Sequence, residues 1–125
     1  KGSRWRGPLT NLGAGQTTDV ELEISSDVDA QGNLTASFTV VGQPKFRVEF
    51  AGVLRLETDV LANGYALDLI KKTAGAASKS PILGNVSTGR HTFFRLGPDG
   101  TELIGYAHQG VNEVGPEVLE LKRVP

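Results

Sequence analysis

Residues 18–42 read TDVELEISSDVDAQGNLTASFTVVG, and this stretch constrains the fold more than any other. Val20, Leu22 and Ile24 alternate with Asp19, Glu21 and Glu23, and Leu34, Ala36, Phe38 and Val40 alternate with Thr35, Ser37 and Thr39. Both runs have the period of a strand with one buried face. Between them Asp29-Ala30-Gln31-Gly32 suits a type I turn with Gly32 in the left-handed region, the three-residue hairpin loop. Such a loop pairs Asp29 with Asn33. It predicts Val28 facing Leu34, Ser26 facing Ala36, Ile24 facing Phe38 and Leu22 facing Val40. A slip of one residue would turn the apolar set outward.

The same rhythm continues. In residues 45–58, Phe46, Val48, Phe50, Gly52, Leu54 and Leu56 keep strict alternation, as one strand bent at Gly52 or two strands meeting there. Asn63-Gly64 signals a tight hairpin into a strand over 65–72. A two-residue loop there would set Val60 against Leu67, Thr58 against Leu69 and Asp59 against Asp68. Residues 73–90 break the rhythm around Pro81, Gly84 and Gly89. A connection of this length is functional, mobile or hides a short strand near PILGNV. HTFFRL and TELIGYAHQ then flank Gly97-Pro98-Asp99-Gly100, and EVLELKRV at 117–124 is the last run. About eight strands in hairpin succession predict an all-β antiparallel meander closing into an up-and-down barrel, with a β-sandwich as the alternative.

Composition bounds the rest. A chain of 125 residues, 38% hydrophobic, is one domain able to bury its own core. A net charge of −1 without a basic block argues against nucleic acid as a partner. No apolar run approaches the ~18 residues of a membrane-spanning helix. With no cysteine, disulfides and thiolate metal sites are excluded. Lys1 in place of a starting Met leads us to expect a processed mature chain or a segment of a longer protein, extracellular or in a bacterial envelope.

SRWRGPL at 3–9 carries the single tryptophan, and the hairpin's second strand opens GNLTASF at 32–38. Together these resemble the first three strands of the calycin superfamily, the lipocalins and avidins, over the first third of the chain. The resemblance implies an up-and-down barrel with Trp5 closing one end. Lipocalins carry a glycine two residues before that tryptophan, where Ser3 stands here. Avidins stack biotin among several tryptophans, and Gly7 and Pro8 occupy the place of their polar first-strand residue. The resemblance therefore implies architecture without biotin binding.

Five groups of residues are candidates for chemistry. Trp5 either walls a ligand pocket or plugs the barrel end, and the plug is favoured. Phe38, Phe46, Phe50, Leu54, Leu56, Leu67 and Leu69 are bulky, and eight strands leave a lumen just wide enough for side chains to fill. Gly52, Gly105 and Ala36 are the one hint of free space. An apolar ligand would be lined by Trp5, Phe38, Tyr65 and Tyr106. Asp59 opposite Asp68 would share a cation or a proton. His91 and His108 flank the Gly97–Gly100 turn. A four-residue loop there pairs Arg95 with Glu102 and His91 with Tyr106; a three-residue loop sends the histidines to opposite faces. Two histidines form an incomplete metal site, so neither metal nor cofactor is expected. The loop GNVSTGR at 84–90 could cradle an anion or close a barrel mouth, though a plain surface loop is the simpler reading. Asn33-Leu34-Thr35 and Asn85-Val86-Ser87 fit the glycosylation pattern, which arises often by chance.

No complete catalytic set emerges. The expectation is a non-catalytic binding or structural accessory domain of a secreted or envelope protein, its partner a protein on the outer face or a small apolar ligand. A lipocalin-like carrier is the first alternative. The second is a barrel cyclase or isomerase in which Asp59, Asp68, His91 and His108 converge at one mouth.

Overall fold

The computed structural model of the protein describes residues 2–57, 64–73, 80–84, 89–97 and 100–125, with backbone alone at 44–45, 55–57 and 64–65. The strands are β1 (Arg4–Asn11), β2 (Gln16–Ile24), β3 (Asn33–Val40), β4 (Gln43–Glu57), β5 (Gly64–Lys71), β6 (His91–Leu96), β7 (Glu102–Ala107) and β8 (Glu117–Arg123). Each pairs antiparallel with the next, and β8 returns to β1, closing a barrel. Among the described residues there is no helix long and apolar enough to cross a membrane.

The strands form where alternation demands them, but three registers differ from the expected ones. Leu22 faces Phe38 and Ile24 faces Ala36, two residues away from the anticipated pairing. The turn itself is as expected: Asp29 N–H donates to Asn33 O at 3.0 Å, and Gly32 has φ 86°. Gln31 and Asn33 N–H both donate to Asp29 Oδ1 at 2.9 Å. These bonds, the Asn33 one foremost, hold the Asp29 carboxyl below its ordinary range. The offset arises between turn and strand, where Ser26 Oγ accepts from Thr35 N–H at 2.8 Å in place of a backbone carbonyl. A shift of two keeps every side chain on its face, so the core is unaffected.

β4 is one strand. Glu57 pairs with Gly64 and Asp68 with Val53, so Gly64 is already a strand residue and the expected opposition of Asp68 to Asp59 is replaced. Asp59 lies outside the described residues. At the next hairpin Phe94 faces Gly105 and Gly97 N–H donates to Glu102 O at 2.7 Å, a register beyond both expected loops.

Inside, the middle of the barrel is filled by side chains, and the space hinted at by Gly52, Gly105 and Ala36 is taken up. Phe38, Phe50 and Phe94 fill the middle, with ring centroids 5.4 Å (Phe38–Phe50) and 6.1 Å (Phe38–Phe94) apart. A Cβ on Gly52 would come within 2.6 Å of Leu69 Cδ2 and 2.9 Å of Leu34 Cδ1, and one on Gly105 would strike the Phe94 ring. These glycines make room for the larger side chains of their partners on the neighbouring strands. Phe46 keeps the inward phase but stands exposed at the rim, and the Leu56 side chain is outside the described residues.

The two ends of the barrel differ. At the Trp5 end lie 25–32 and the strand ends Glu57, Gly64, Leu96 and Glu102; at the opposite, Asn11 end lie 12–15, 41–42, 80–84 and 108–116. Within 73–90, Ser80–Gly84 turns into the Asn11 end and buries Ile82 completely. Gly84 makes an isolated bridge there, so the strand anticipated near PILGNV reduces to that residue among those described.

Candidate functional site

The inward phase of β1 runs Trp5, Gly7, Leu9, Asn11. That of β5 runs Leu67, Leu69, Lys71, and that of β8 runs Glu117, Leu119, Leu121. Alternation therefore carries an amide, an ammonium and a carboxylate into one barrel end, all buried. Sequence reasoning missed them. The signal was the phase, since each stands two residues from a buried leucine.

Buried polar groups need partners, and here the inserted segment supplies them. Lys71 Nζ donates to Pro81 O at 3.4 Å and to Gly84 O. On the other side Glu117 accepts from Ser80 Oγ at 2.7 Å, from Ile82 N–H at 3.0 Å and from Asn11 Nδ2 at 3.1 Å. Asn11 also donates to Val114 O at 2.5 Å and accepts from Ala14 N–H at 2.9 Å. Segment 80–84 is thus gripped from two strands. Loss of water raises the Glu117 pKa above its ordinary value, against the pull of Ser80, Ile82 and Asn11. Loss of water likewise lowers that of Lys71, against the attraction of Glu113 and Glu117. Nearby, Arg90 Nε lies 3.2 Å from the buried Glu113 carboxylate, and Gly110 N–H donates to it at 2.6 Å.

Beside this plug opens a recess of about 360 Å³. Leu9, Val40, Phe46, Val48, Leu83 and Val114 wall it; Gln16, Thr18 and Gln43 carry uncharged polar groups around it; Ser80 and Glu117 line its inner side. The Trp5 end holds a recess of about 190 Å³, lined by Trp5, Ile24, Val28, Leu34 and other aliphatic residues. Trp5 is buried with the Arg123 guanidinium 5.8 Å from its ring centroid, which is cation–π distance.

The residues singled out from sequence are dispersed. Trp5 borders the smaller recess, while Phe38 is in the packed centre and lines neither. The Tyr65 side chain is outside the described residues. Tyr106 is on the outer face, because the observed register gives the inward positions to Gly105 and Ala107. There it opposes Phe93 and meets His108 edge-on, with centroids 4.8 Å apart. Asp68 is also outside, and His91 Nδ1 donates to it at 2.9 Å while its ring stacks on Phe93. Asp68, His91, Phe93, Tyr106 and His108 thus gather on the outside of β5–β7, with His91 and His108 at the strand ends nearer the Asn11 mouth, and none of them lines the recess there. Among the described residues no three His, Asp or Glu side chains are placed to hold a metal. Residues 85–88 of the supposed anion cradle, and Asn85, are outside the described set; Asn33 is exposed at the start of β3.

No protein-family model matches the chain, and no curated protein matches it in sequence.

Proposed function

We propose that the chain is a non-catalytic binding module of a secreted or envelope protein, and that it holds a small uncharged amphiphile in the recess at the Asn11 end. The observation that carries this reading is the recess itself. Its volume of about 360 Å³ falls within the range of small-molecule sites, and it joins apolar walls to a few convergent polar groups and a carboxylate of perturbed pKa. Its rim offers amides and a hydroxyl for a neutral head. Glu117 below disfavours an anion and, already satisfied by Ser80, Ile82 and Asn11, holds no acceptor in reserve for chemistry.

A calycin-like origin fits the same reading. It is supported by the closed meander and by Trp5 buried at the end of β1. The site, however, is at the mouth opposite the tryptophan.

Titration with N-phenyl-1-naphthylamine, an uncharged fluorophore, tests the proposal. Saturable, blue-shifted emission with one site per chain is expected. Phe46→Ala should weaken it about tenfold, the effect of losing an aromatic wall worth roughly 1.4 kcal/mol. Val28→Asp, at the other recess, should leave it unchanged. Emission that never saturates, or that responds to Val28→Asp alone, would overturn the assignment.

A further inference from the structure

The inserted segment does not cover the Asn11 mouth evenly. Among the described residues, the strand side chains that line the recess come from β1–β4, with Glu117 of β8 as the one exception. Segment 80–84 is tied to β5 through Lys71 and to β8 through Glu117. It stands over the β5–β8 half of the mouth, and the recess is the half it leaves open. Ser80 and Leu83 are the residues of the segment that line this space.

Consecutive side chains of the segment serve opposite sides. Ile82 is fully buried in the core, while Leu83 is partly buried, packs against that core and walls the recess. The backbone beneath Leu83 is fixed. Its N–H donates to Ser80 Oγ at 3.1 Å, and Gly84 N–H donates to Ser80 O at 2.9 Å. The same Ser80 hydroxyl donates to the Glu117 carboxylate at 2.7 Å, and Lys71 holds the carbonyls of Pro81 and Gly84. Leu83 is thus a wall carried on a turn that is anchored at both ends.

Depth is limited as well. Val48 lines the recess, but its cross-strand partner Phe38 and its strand neighbour Phe50 are buried in the packed centre. A tail entering from the mouth meets these rings ahead and Leu83 at its side. The volume of about 360 Å³ is near the lower end of the roughly 300–1,000 Å³ of small-molecule sites. Against aliphatic walls each buried methylene adds a similar increment, until the chain meets a side chain that does not yield. We infer that Leu83 is the specificity-determining residue of the recess: it sets how much tail fits, and the site takes a neutral amphiphile with one short alkyl tail. This step rests on the proposed ligand site.

The test is a series of monoacylglycerols from butyryl to decanoyl, with binding followed on the methyl resonances of Val40 and Val48. Affinity should rise about fourfold with each methylene and then stop rising at one chain length. Leu83→Ala should move that break to tails longer by about two methylenes, which occupy the space the lost side chain leaves. Leu83→Phe should move it to shorter tails, and it keeps the test open if Leu83→Ala loosens the segment. Phe46→Ala, at the mouth, should weaken every member of the series alike and leave the break in place. A break that never appears, one that stays put in both Leu83 variants, or a uniform loss of affinity in both would overturn the inference while leaving a ligand in the recess. Failure of the parent chain to bind any member of the series would instead overturn the ligand site, and the inference with it.

Discussion

The two ends of this barrel obey one alternation rule and reach opposite solutions. At the Trp5 end the inward phase delivers Trp5, Ile24, Leu34, Leu67 and Leu103, all buried. Bulk closes it, with Arg123 over the indole. At the Asn11 end the same phase delivers Asn11, Lys71 and Glu117, which cannot close a barrel by contact among themselves. They bind a piece of chain, 80–84, whose Ile82 does the filling. An apolar plug is non-directional and indifferent to pH. A polar grip is directional and titratable, and it holds the loop while leaving room beside it. The recess is where the second solution is incomplete.

The comparison can be broken by mutation. Trp5→Ala should have the largest effect, about 3–5 kcal/mol lost in denaturant unfolding, and the deficit should be the same in mildly acidic and neutral buffer. Removing one partner of the polar grip comes next. Lys71→Met or Glu117→Ala should each cost about 2–4 kcal/mol, because carbonyls or donors are left buried and unpaired. The pair should be markedly non-additive, since both hold one segment; strict additivity would mean that 80–84 is not a shared element. Between the ends, Gly105→Ala should cost about 1–3 kcal/mol by driving a methyl into the Phe94 ring.

The smallest effect is the most diagnostic. Glu117 has a folded-state pKa above the ordinary 4.5, so the folded chain binds that proton more tightly than the unfolded chain. The stability this contributes is full below pH 4.5 and is lost as pH rises through the raised value. Lys71 acts in the other sense, its burial cost fading as pH climbs towards 10.5. Thermal unfolding followed across the mildly acidic range should therefore show a downward slope with pH that Glu117→Gln removes and Trp5→Ala leaves intact.

Much of the fold could be read from alternation. Val20 to Val40 announced their hairpin, and Asp29 with Gly32 announced its turn. Registers were less legible. Ser26 Oγ replaced a ladder acceptor and let the pairing jump by two, and Gly64, a turn cue by sequence, pairs as a strand residue with Glu57. The candidate site was hidden for a different reason. Lys71 and Glu117 have the residue types of solvent-exposed strand ends, and their partners are mostly carbonyls and amides of a distant loop, which no spacing encodes. The phase that placed Leu69 and Leu119 inside would have placed them too. Asp68 lost its expected partner to register, and Tyr106 stands outward because Gly105 and Ala107 hold the inward phase.

The assignment of the open mouth to the Asn11 end is tested most directly by methyl chemical-shift mapping. A short-chain monoacylglycerol, an uncharged amphiphile, would be titrated into the chain with its leucine and valine methyls resolved. Shifts should concentrate on Leu9, Val40, Val48, Leu83 and Val114, with Leu54, Leu67 and Leu103 unmoved. Shifts confined to that second group, around Trp5, would contradict the assignment.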